Sequence, residues 1–133
     1  MSKHETPMIR SYWRKIRGTL IEEFLAVKAS PTCGSRRLDA VILPKGEFRI
    51  AHWKEVSLKD KDIIVVQAKA NRLGMYLMGQ ALFSAALMKR FKPRSVRSIA
   101  LCKKDDSVLR PLLKRYRHIE VVVLNRQGTR KKS

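Results

Sequence analysis

The sequence predicts an α/β fold with a mixed β-sheet at its centre. Residues 63–66 are apolar at consecutive positions, which is typical of a strand covered on both faces. Residues 75–90 are apolar nearly all round and predict a helix that neighbours cover on most sides. Strand and helix patterns follow each other along 133 residues, a length that suffices for one domain with a real core.

The predicted element order is α-β-β-β-α-β-α-β. A first helix is expected over residues 11–24, because Trp13, Ile16 and Leu20 recur at helical spacing. The other expected elements are strands at 24–28, 37–43 and 62–70, a helix at 75–90, a strand at 96–102, a helix that opens in 103–107 and runs to 116, and a strand at 119–124. Residues 47–53 form either a short extra strand or an extended loop.

The chain is strongly basic. Thirty Lys and Arg against 11 Asp and Glu give a formal charge of +19, well beyond what solubility requires. This charge indicates a polyanionic partner, and nucleic acid, with DNA favoured, is the leading expectation. The alternative is a ribosomal-type or simply overcharged surface.

A basic tail is expected to follow a single domain that spans residues 1–124. Residues 125–133 contain no apolar run to bury, so we expect them to be disordered and to contact nucleic acid. The cations of the tail are Arg126, Arg130, Lys131 and Lys132.

Several classes of function are disfavoured. Cys33 and Cys102 lie far apart without a CxxC pair, so neither a zinc site nor a disulfide is expected. The first ten residues have no apolar signal-peptide core, and the longest apolar stretch is too short and too interrupted to span a membrane. A cytoplasmic location is therefore expected. No Ser-His-Asp set, Cys-His set or glycine-rich phosphate loop is evident.

Three polar residues interrupt two otherwise apolar strands. Gln67 and Lys69 project from the same face near the end of their strand, because strand side chains alternate with period two. Burying an amide and an ammonium is costly unless they have partners, and Asp39 on a neighbouring strand supplies one. The pattern Asp39…Gln67-Ala68-Lys69 therefore indicates a functional site. The alternatives are an Asp39–Lys69 ion pair and, for Gln67, an amide that bonds to backbone.

The element order and these residues resemble the PD-(D/E)XK nuclease superfamily, in particular Holliday-junction resolvases and Mrr-like restriction endonucleases. In that branch Gln can replace the first acid of the (D/E)XK pair. The resemblance covers residues 11–124, although Leu38 stands where the name-giving pattern has proline. It implies a restriction-endonuclease-like αβββαβ core with a mixed central sheet, extended by one helix and one strand. It also implies Mg²⁺ or Mn²⁺ and hydrolysis of a phosphodiester bond.

The resemblance assigns a role to each residue of the pattern. Asp39 is the central metal-binding carboxylate, and Gln67 adds an amide oxygen beside the carbonyl of Ala68. Gln67 also removes one negative charge from the metal cage. Lys69 orients the attacking water or stabilises the charge that develops on the phosphorane.

A glutamate on the first helix completes the set that the resemblance implies, and it is either Glu22 or Glu23. With about 100° per residue, Glu23 falls three positions after Leu20 on the sheet-facing side. Glu23 is therefore favoured as a catalytic and metal-binding acid. The alternative is that both glutamates are solvent-facing.

Three arginines flank the pattern. Arg36 and Arg37 precede Asp39 and Arg72 follows Lys69, so all three are expected to contact nucleic-acid phosphates. The alternative for Arg36 and Arg37 is that they only solvate a strand edge, and the alternative for Arg72 is that it belongs to a plain turn. Gln80 is either a satisfied core amide or a donor behind the site.

The leading expectation is a metal-dependent nuclease, most of all one that acts on DNA. A nucleic-acid-binding module on the same fold, without catalytic ability, is the second. A symmetric homodimer is a further expectation, because one metal site cuts one strand and duplex cleavage needs two.

Overall fold

The computed structural model describes residues 4–124 of the chain, which form an α/β fold with a six-stranded mixed sheet and three helices. The helices are α1 (Glu5–Ile16), α2 (Met75–Met88) and α3 (Arg110–Leu113). The strands are β1 (Thr19–Val27), β2 (Arg36–Leu43), β3 (Arg49–Ala51), β4 (Asp62–Arg72), β5 (Ser95–Lys104) and β6 (Ile119–Val123). Short 3₁₀ turns at Trp53–Glu55 and Lys89–Phe91 complete the order.

The strands lie side by side in the order β3-β1-β2-β4-β5-β6. β2 runs antiparallel to both β1 and β4, whereas β3 is parallel to β1 and β5 is parallel to both β4 and β6. The sheet therefore has an antiparallel centre, β1-β2-β4, with parallel pairs on both sides of it. The parallel connections β4-β5 and β5-β6 run through α2 and α3. β4 lies between its antiparallel neighbour β2 and its parallel neighbour β5.

Helix α1 covers one face of the sheet. Its buried residues Met8, Ile9, Tyr12 and Trp13 pack with even-numbered residues of β2 and β4 such as Ile42. An isolated helix of this length is marginal in water. Burial of each large apolar side chain stabilises by about 1.5–3 kcal/mol, so packing against the sheet holds α1 in place.

Helix α2 covers the opposite face through Leu77, Ala81, Ala85 and Met88. With α1 on the other face, the run 63–66 of β4 is buried on both sides, as its apolar sequence predicts. Among residues 4–124, no helix combines the length and the apolar composition that crossing a bilayer requires.

The predicted first helix over residues 11–24 is wrong in its position. The helix is α1, which ends at Ile16, and the segment that follows is β1. Arg17 and Gly18 adopt φ values of 73° and 89°, which a continuing α-helix does not allow. A Cβ atom at Gly18 would overlap the carbonyl oxygen of Leu43, so the chain needs glycine where it reverses against β2.

The apparent helical spacing across this reversal arises from two different elements. Trp13 and Leu20 share one core cluster, but the first side chain reaches it from α1 and the second from β1. The indole Nε1 of Trp13 donates to the carbonyl oxygen of Gly18 at 2.7 Å and ties the helix end to the turn.

The remaining predicted elements are present with shifted ends. Residues 47–53, for which a strand and a loop were both open, contain β3. The third helix is much shorter than predicted: it spans only α3, preceded by a turn in which Asp106 accepts from the N–H groups of Val108 and Leu109. The predicted tail at 125–133 lies outside the described residues.

Candidate active site

The candidate active site lies where β2 and β4 separate. Their antiparallel pairing runs from Ile42–Ile64 to Ala40–Val66, and side chains bridge the strands beyond that pair. The backbone N–H of Asp39 donates to Gln67 Oε1 at 3.3 Å, and the N–H of Ala68 donates to Asp39 Oδ2 at 2.9 Å. These reciprocal bonds satisfy backbone groups that the diverging strands no longer satisfy themselves.

Two carboxylates converge on the edge of β4 that this separation exposes. The N–H of Ala68 is bound by Asp39, and the N–H of Ala70 donates to Glu5 Oε2 at 3.3 Å. The N–H and C=O of one strand residue point to the same edge, so the carbonyl of Ala68 faces the same opening. The opening therefore collects oxygen atoms from β2, β4 and α1.

Glu5 is the acid that a helix brings to this opening, and it is absent from the residues that the sequence predicted for the site. It lies in the first turn of α1, where the helix dipole favours a negative charge. The signal that could have pointed to it is Pro7, because proline is tolerated in the first turn of a helix and therefore indicates a helix start within a few residues of Glu5. Starting the helix at residue 11 removed Glu5 from consideration.

The expectation that Glu22 or Glu23 supplies a helical acid is wrong, because both lie on β1. The Glu22 carboxylate accepts from Arg10 Nε at 3.0 Å and Nη2 at 2.8 Å, a two-pronged bond that ties α1 to β1. Glu23 is exposed and has a φ of 51°, and it lies between Glu22 and Phe24, which pair with Ala40 and Leu38 of β2. The strand, rather than any helical phase, decides where both carboxylates point.

Gln67 is buried, with 3% of its surface exposed, and both ends of its amide are engaged. Its Oε1 accepts from the N–H of Asp39, and its Nε2 donates to Ser84 Oγ of α2 at 2.8 Å. The amide thus holds β2, β4 and α2 together at the point of divergence. This positions Asp39, and the prediction that Gln67 also gives an oxygen to a metal stays a prediction.

Lys69 projects towards α2, as Gln67 does, which confirms that the two side chains share a face. Its Nζ lies 5.3 Å from the centre of the Tyr76 ring, within range of a cation–π contact. Among the ion pairs of residues 4–124, none joins Lys69 to Asp39. The Lys69 ammonium is therefore near enough to influence the Asp39 carboxylate but does not form an ion pair with it. The alternative interpretation of the pattern, an Asp39–Lys69 ion pair, is not what the structure has.

The environment of Asp39 raises the pKa of its carboxyl above the ordinary value. Burial is the largest cause, and the negative charge of Glu5 adds to it. The hydrogen bond from Ala68 and the positive charge of Lys69 act in the opposite direction. Burial therefore outweighs the groups that favour the charged form of Asp39.

A groove with a volume of about 1030 Å³ runs beside this opening, between the start of β2 and the outer side of α2. Arg36 and Arg37 are exposed along it, and Arg37 Nη1 donates to the carbonyl oxygen of Glu23 at 3.2 Å. Arg72 is also exposed but lies at the end of β4, where its Nη1 donates to the carbonyl oxygen of Asp105 at 2.6 Å. The predicted contacts Arg126, Arg130, Lys131 and Lys132 lie outside the described residues.

Gln80 lines the same groove, one helical turn before Ser84. Its Oε1 is buried and has no hydrogen-bond partner among residues 4–124. The expectation of a satisfied core amide is therefore not met by this oxygen.

The donor atoms at the opening fit a hard divalent cation. Asp39 and Glu5 offer carboxylate oxygens and Ala68 a carbonyl oxygen, the ligand types that Mg²⁺ prefers. Within residues 4–124, no three His, Cys, Asp or Glu side chains form a cluster that could hold a metal on their own. Mg²⁺ commonly uses one or two carboxylates together with water and substrate phosphates, so two carboxylates suffice for a site completed by its substrate.

Comparisons with protein-family models, with curated proteins and with solved structures found no match. The chemistry of the site is therefore inferred from its own residues.

Proposed function

We propose that the protein is a metal-dependent nuclease that hydrolyses phosphodiester bonds, with DNA as the leading substrate. One observation carries the proposal: Asp39 and Glu5 converge on an open strand edge beside Lys69, in a chain with a formal charge of +19. Carboxylates for a hard cation and a lysine beside them are the groups that phosphodiester hydrolysis needs.

The fold supports the same proposal. The order α1-β1-β2-β4-α2-β5 contains the αβββαβ order of the PD-(D/E)XK superfamily, with β3 inserted and with α3 and β6 appended. The acid on α1, the acid on β2 and the lysine on β4 also match the elements that carry the reactive residues in that superfamily. We infer a restriction-endonuclease-like core on these grounds.

In this proposal Asp39, Glu5 and the Ala68 carbonyl hold Mg²⁺ or Mn²⁺. The cation supplies polarisation of the phosphate and activation of water. Lys69 contributes a positive charge to the phosphorane or orients the attacking water. Gln67 keeps Asp39 in position through its bonds to the Asp39 N–H and to Ser84.

The substrate is inferred from charge. Arg36 and Arg37 are exposed along the groove beside the opening, and Arg72 is exposed at the end of β4. Cations spread in this way suit the backbone of a nucleic acid. A homodimer that cuts both strands of a duplex remains a prediction, and sedimentation analysis tests it.

The first experiment is incubation with duplex, branched and single-stranded DNA and with RNA, each with Mg²⁺, Mn²⁺ or EDTA. We expect metal-dependent cleavage of at least one DNA substrate. Asp39→Asn should abolish it, since the variant keeps an oxygen for the Ala68 N–H but loses the charge.

Asp60→Asn is the matched control. It makes the same change at an exposed residue before β4, and Asn tolerates the left-handed backbone found there. Cleavage by Asp39→Asn at the wild-type rate would mean that the reactive site lies elsewhere.

A binding module without catalytic ability is the second candidate, favoured by the neutral Gln67 at a position where most relatives in the proposed superfamily have an acid. Such a protein binds nucleic acid equally well with Mg²⁺ and with EDTA and cuts none of the substrates above.

A further inference from the structure

The outer face of α2 leaves three large apolar side chains uncovered beside the groove. Met75, Tyr76 and Phe83 are 75%, 72% and 71% exposed, although the helix has five other residues buried in the core. Single exposed apolar side chains are common, but several grouped along one groove are typical of a binding surface.

The charged side chains that line the groove are all arginines. Arg36 and Arg37 line one wall and Arg90 lies at the far end of the other, and no Asp or Glu of residues 4–124 is part of the lining. Aromatic rings bounded by arginines, without an acid, suit a ligand that is both anionic and aromatic.

The spacing of the rings matches a nucleic-acid strand. Tyr76 and Phe83 are seven residues apart on α2, which corresponds to about 10.5 Å along the helix axis at a rise of 1.5 Å per residue. Stacked nucleotides rise about 3.4 Å each along one strand, so the two rings span about three steps. Gly79 lies between the two rings along the helix. The space beside it is open, because a Cβ atom added there would meet no atom within 4 Å.

The groove continues into the candidate active site. Gln67 forms part of its lining and is bonded to Asp39, and Tyr76 is the ring that Lys69 faces. A strand lying in the groove therefore leads directly to the opening at which we propose cleavage.

We propose that this groove binds an unpaired nucleic-acid strand, with bases stacked on Tyr76 and Phe83 and phosphates contacting Arg36, Arg37 and Arg90. The inference rests on the proposed function and deepens it: the substrate carries a single-stranded segment beside the bond that is cut.

A second copy of the chain fits the groove less well. A two-fold contact through this surface would bring both sets of Arg36, Arg37 and Arg90 together without any acid to pair with them, and like charges across an interface oppose association. A paired duplex is also a poorer occupant, because its bases stack on each other and leave the rings of α2 unused.

The test measures binding in EDTA, so that it does not depend on cleavage. A labelled single-stranded oligonucleotide and the blunt duplex of the same sequence are titrated with wild type, Phe83→Ala and Phe83→Trp, using fluorescence anisotropy. We expect Phe83→Ala to weaken single-strand binding about five- to tenfold, which is the lower end of the effect of losing one stacking ring. Duplex binding and the melting temperature should stay at wild-type values.

Phe83→Trp should keep single-strand affinity, since it retains an aromatic face. Leu112→Ala is the control for losing an exposed apolar side chain, because Leu112 is exposed on α3 and is not part of the groove. A 2-aminopurine base in the oligonucleotide should be quenched on binding to wild type and less so by Phe83→Ala.

Three results overturn the inference: no single-strand binding by wild type, an equal loss for single strand and duplex in Phe83→Ala, or no loss at all. A fourth is a wild-type dimer in sedimentation analysis that Phe83→Ala dissociates, since a second copy then covers the groove. These results are distinct from failure of the proposed function, in which single-strand binding depends on Phe83 but no substrate is cut.

Discussion

At its amino end β4 begins with Asp62, and towards its carboxyl end it meets Asp39 of β2. Asp62 accepts from Arg94 Nε at 3.0 Å and from Ser95 Oγ at 2.7 Å, and it forms ion pairs with Lys45 and Arg94. These bonds, above all those from Arg94, hold the pKa of its carboxyl well below the ordinary value. The charge of Asp62 is balanced within the protein.

Asp39 is in the opposite situation. It accepts one backbone N–H, has a second carboxylate nearby in Glu5, and lies near Lys69 without an ion pair between them. The pKa of its carboxyl is raised, mainly by burial, whereas that of Asp62 is lowered by its partners. Ion pairs and hydrogen bonds thus dominate the environment of Asp62, whereas burial dominates that of Asp39. This difference is why we interpret Asp62 as structural and propose a functional role for Asp39.

The largest expected effect is a difference in kcat between variants of two lysines, Lys69 near Asp39 and Lys45 beside Asp62. Lys69→Met should lower kcat about 100-fold or more with little change in KM, because its charge is proposed to act in the transition state. Lys45→Met, which removes one of the exposed partners of Asp62, should leave both constants unchanged. Steady-state kinetics on the best substrate of the panel measures both. A change confined to KM would make Lys69 an ordinary phosphate contact.

The next effect distinguishes the acid on α1 from the acid on β1. Glu5→Gln should lower cleavage at least about tenfold and raise the Mg²⁺ concentration for half-maximal rate, since a ligand charge is lost while the Ala70 N–H keeps an acceptor. Glu23→Gln is the matched variant and should cut at close to the wild-type rate. The reverse ranking would return the role to Glu23.

Gln67→Glu tests whether a further carboxylate beside Asp39 is tolerated without a cation, because the substitution adds a negative charge at a buried position. We expect the variant to lose about 1–3 kcal/mol of stability in EDTA, since the donor to Ser84 is lost and a charge is buried. Mg²⁺ should raise its melting temperature more than that of wild type. Gln67→Met, which breaks the same bridge without adding charge, should lose stability and show no such gain.

The smallest effect concerns pH at the amino end of β4. A depressed pKa means that Asp62 contributes its stability fully above about pH 4 and loses it as the pH falls further towards the folded-state pKa. Asp62→Asn should therefore show a flatter dependence of the urea midpoint on pH below about 4 than wild type does. Parallel curves for the two proteins would mean that the network contributes no pH-dependent stability.

Much of the fold could be predicted from local patterns. The apolar run of β4 and the nearly uniform apolar helix α2 were predicted with small errors at their ends, because each is long and its pattern lies within one element. The first helix was misplaced because Trp13, Ile16 and Leu20 keep helical spacing across the reversal at Gly18. Periodicity does not reveal that a chain has turned when the core residues on both sides of the turn reach the same cluster.

The candidate site shows the same division. The alternation of a strand predicted that Gln67 and Lys69 share a face, and they do. Glu5 escaped prediction because it reaches the opening only through the packing of α1 across β4, a contact between segments far apart in the chain. The double engagement of the Gln67 amide was unpredictable for the same reason, since Ser84 comes from a helix on the other side of the sheet.

By itself, the sequence determined the charge of the protein, its apolar strands and second helix, and the pattern Asp39…Gln67-Ala68-Lys69. These are properties of composition and of short-range periodicity, which the backbone geometry of strands and helices imposes on any chain. Only the tertiary structure decided that β2 and β4 separate at this pattern, and that Glu5 joins Asp39 there. Both depend on how the elements pack against each other, because the positions at which strands part and a helix crosses are set by the fit of distant side chains in the core.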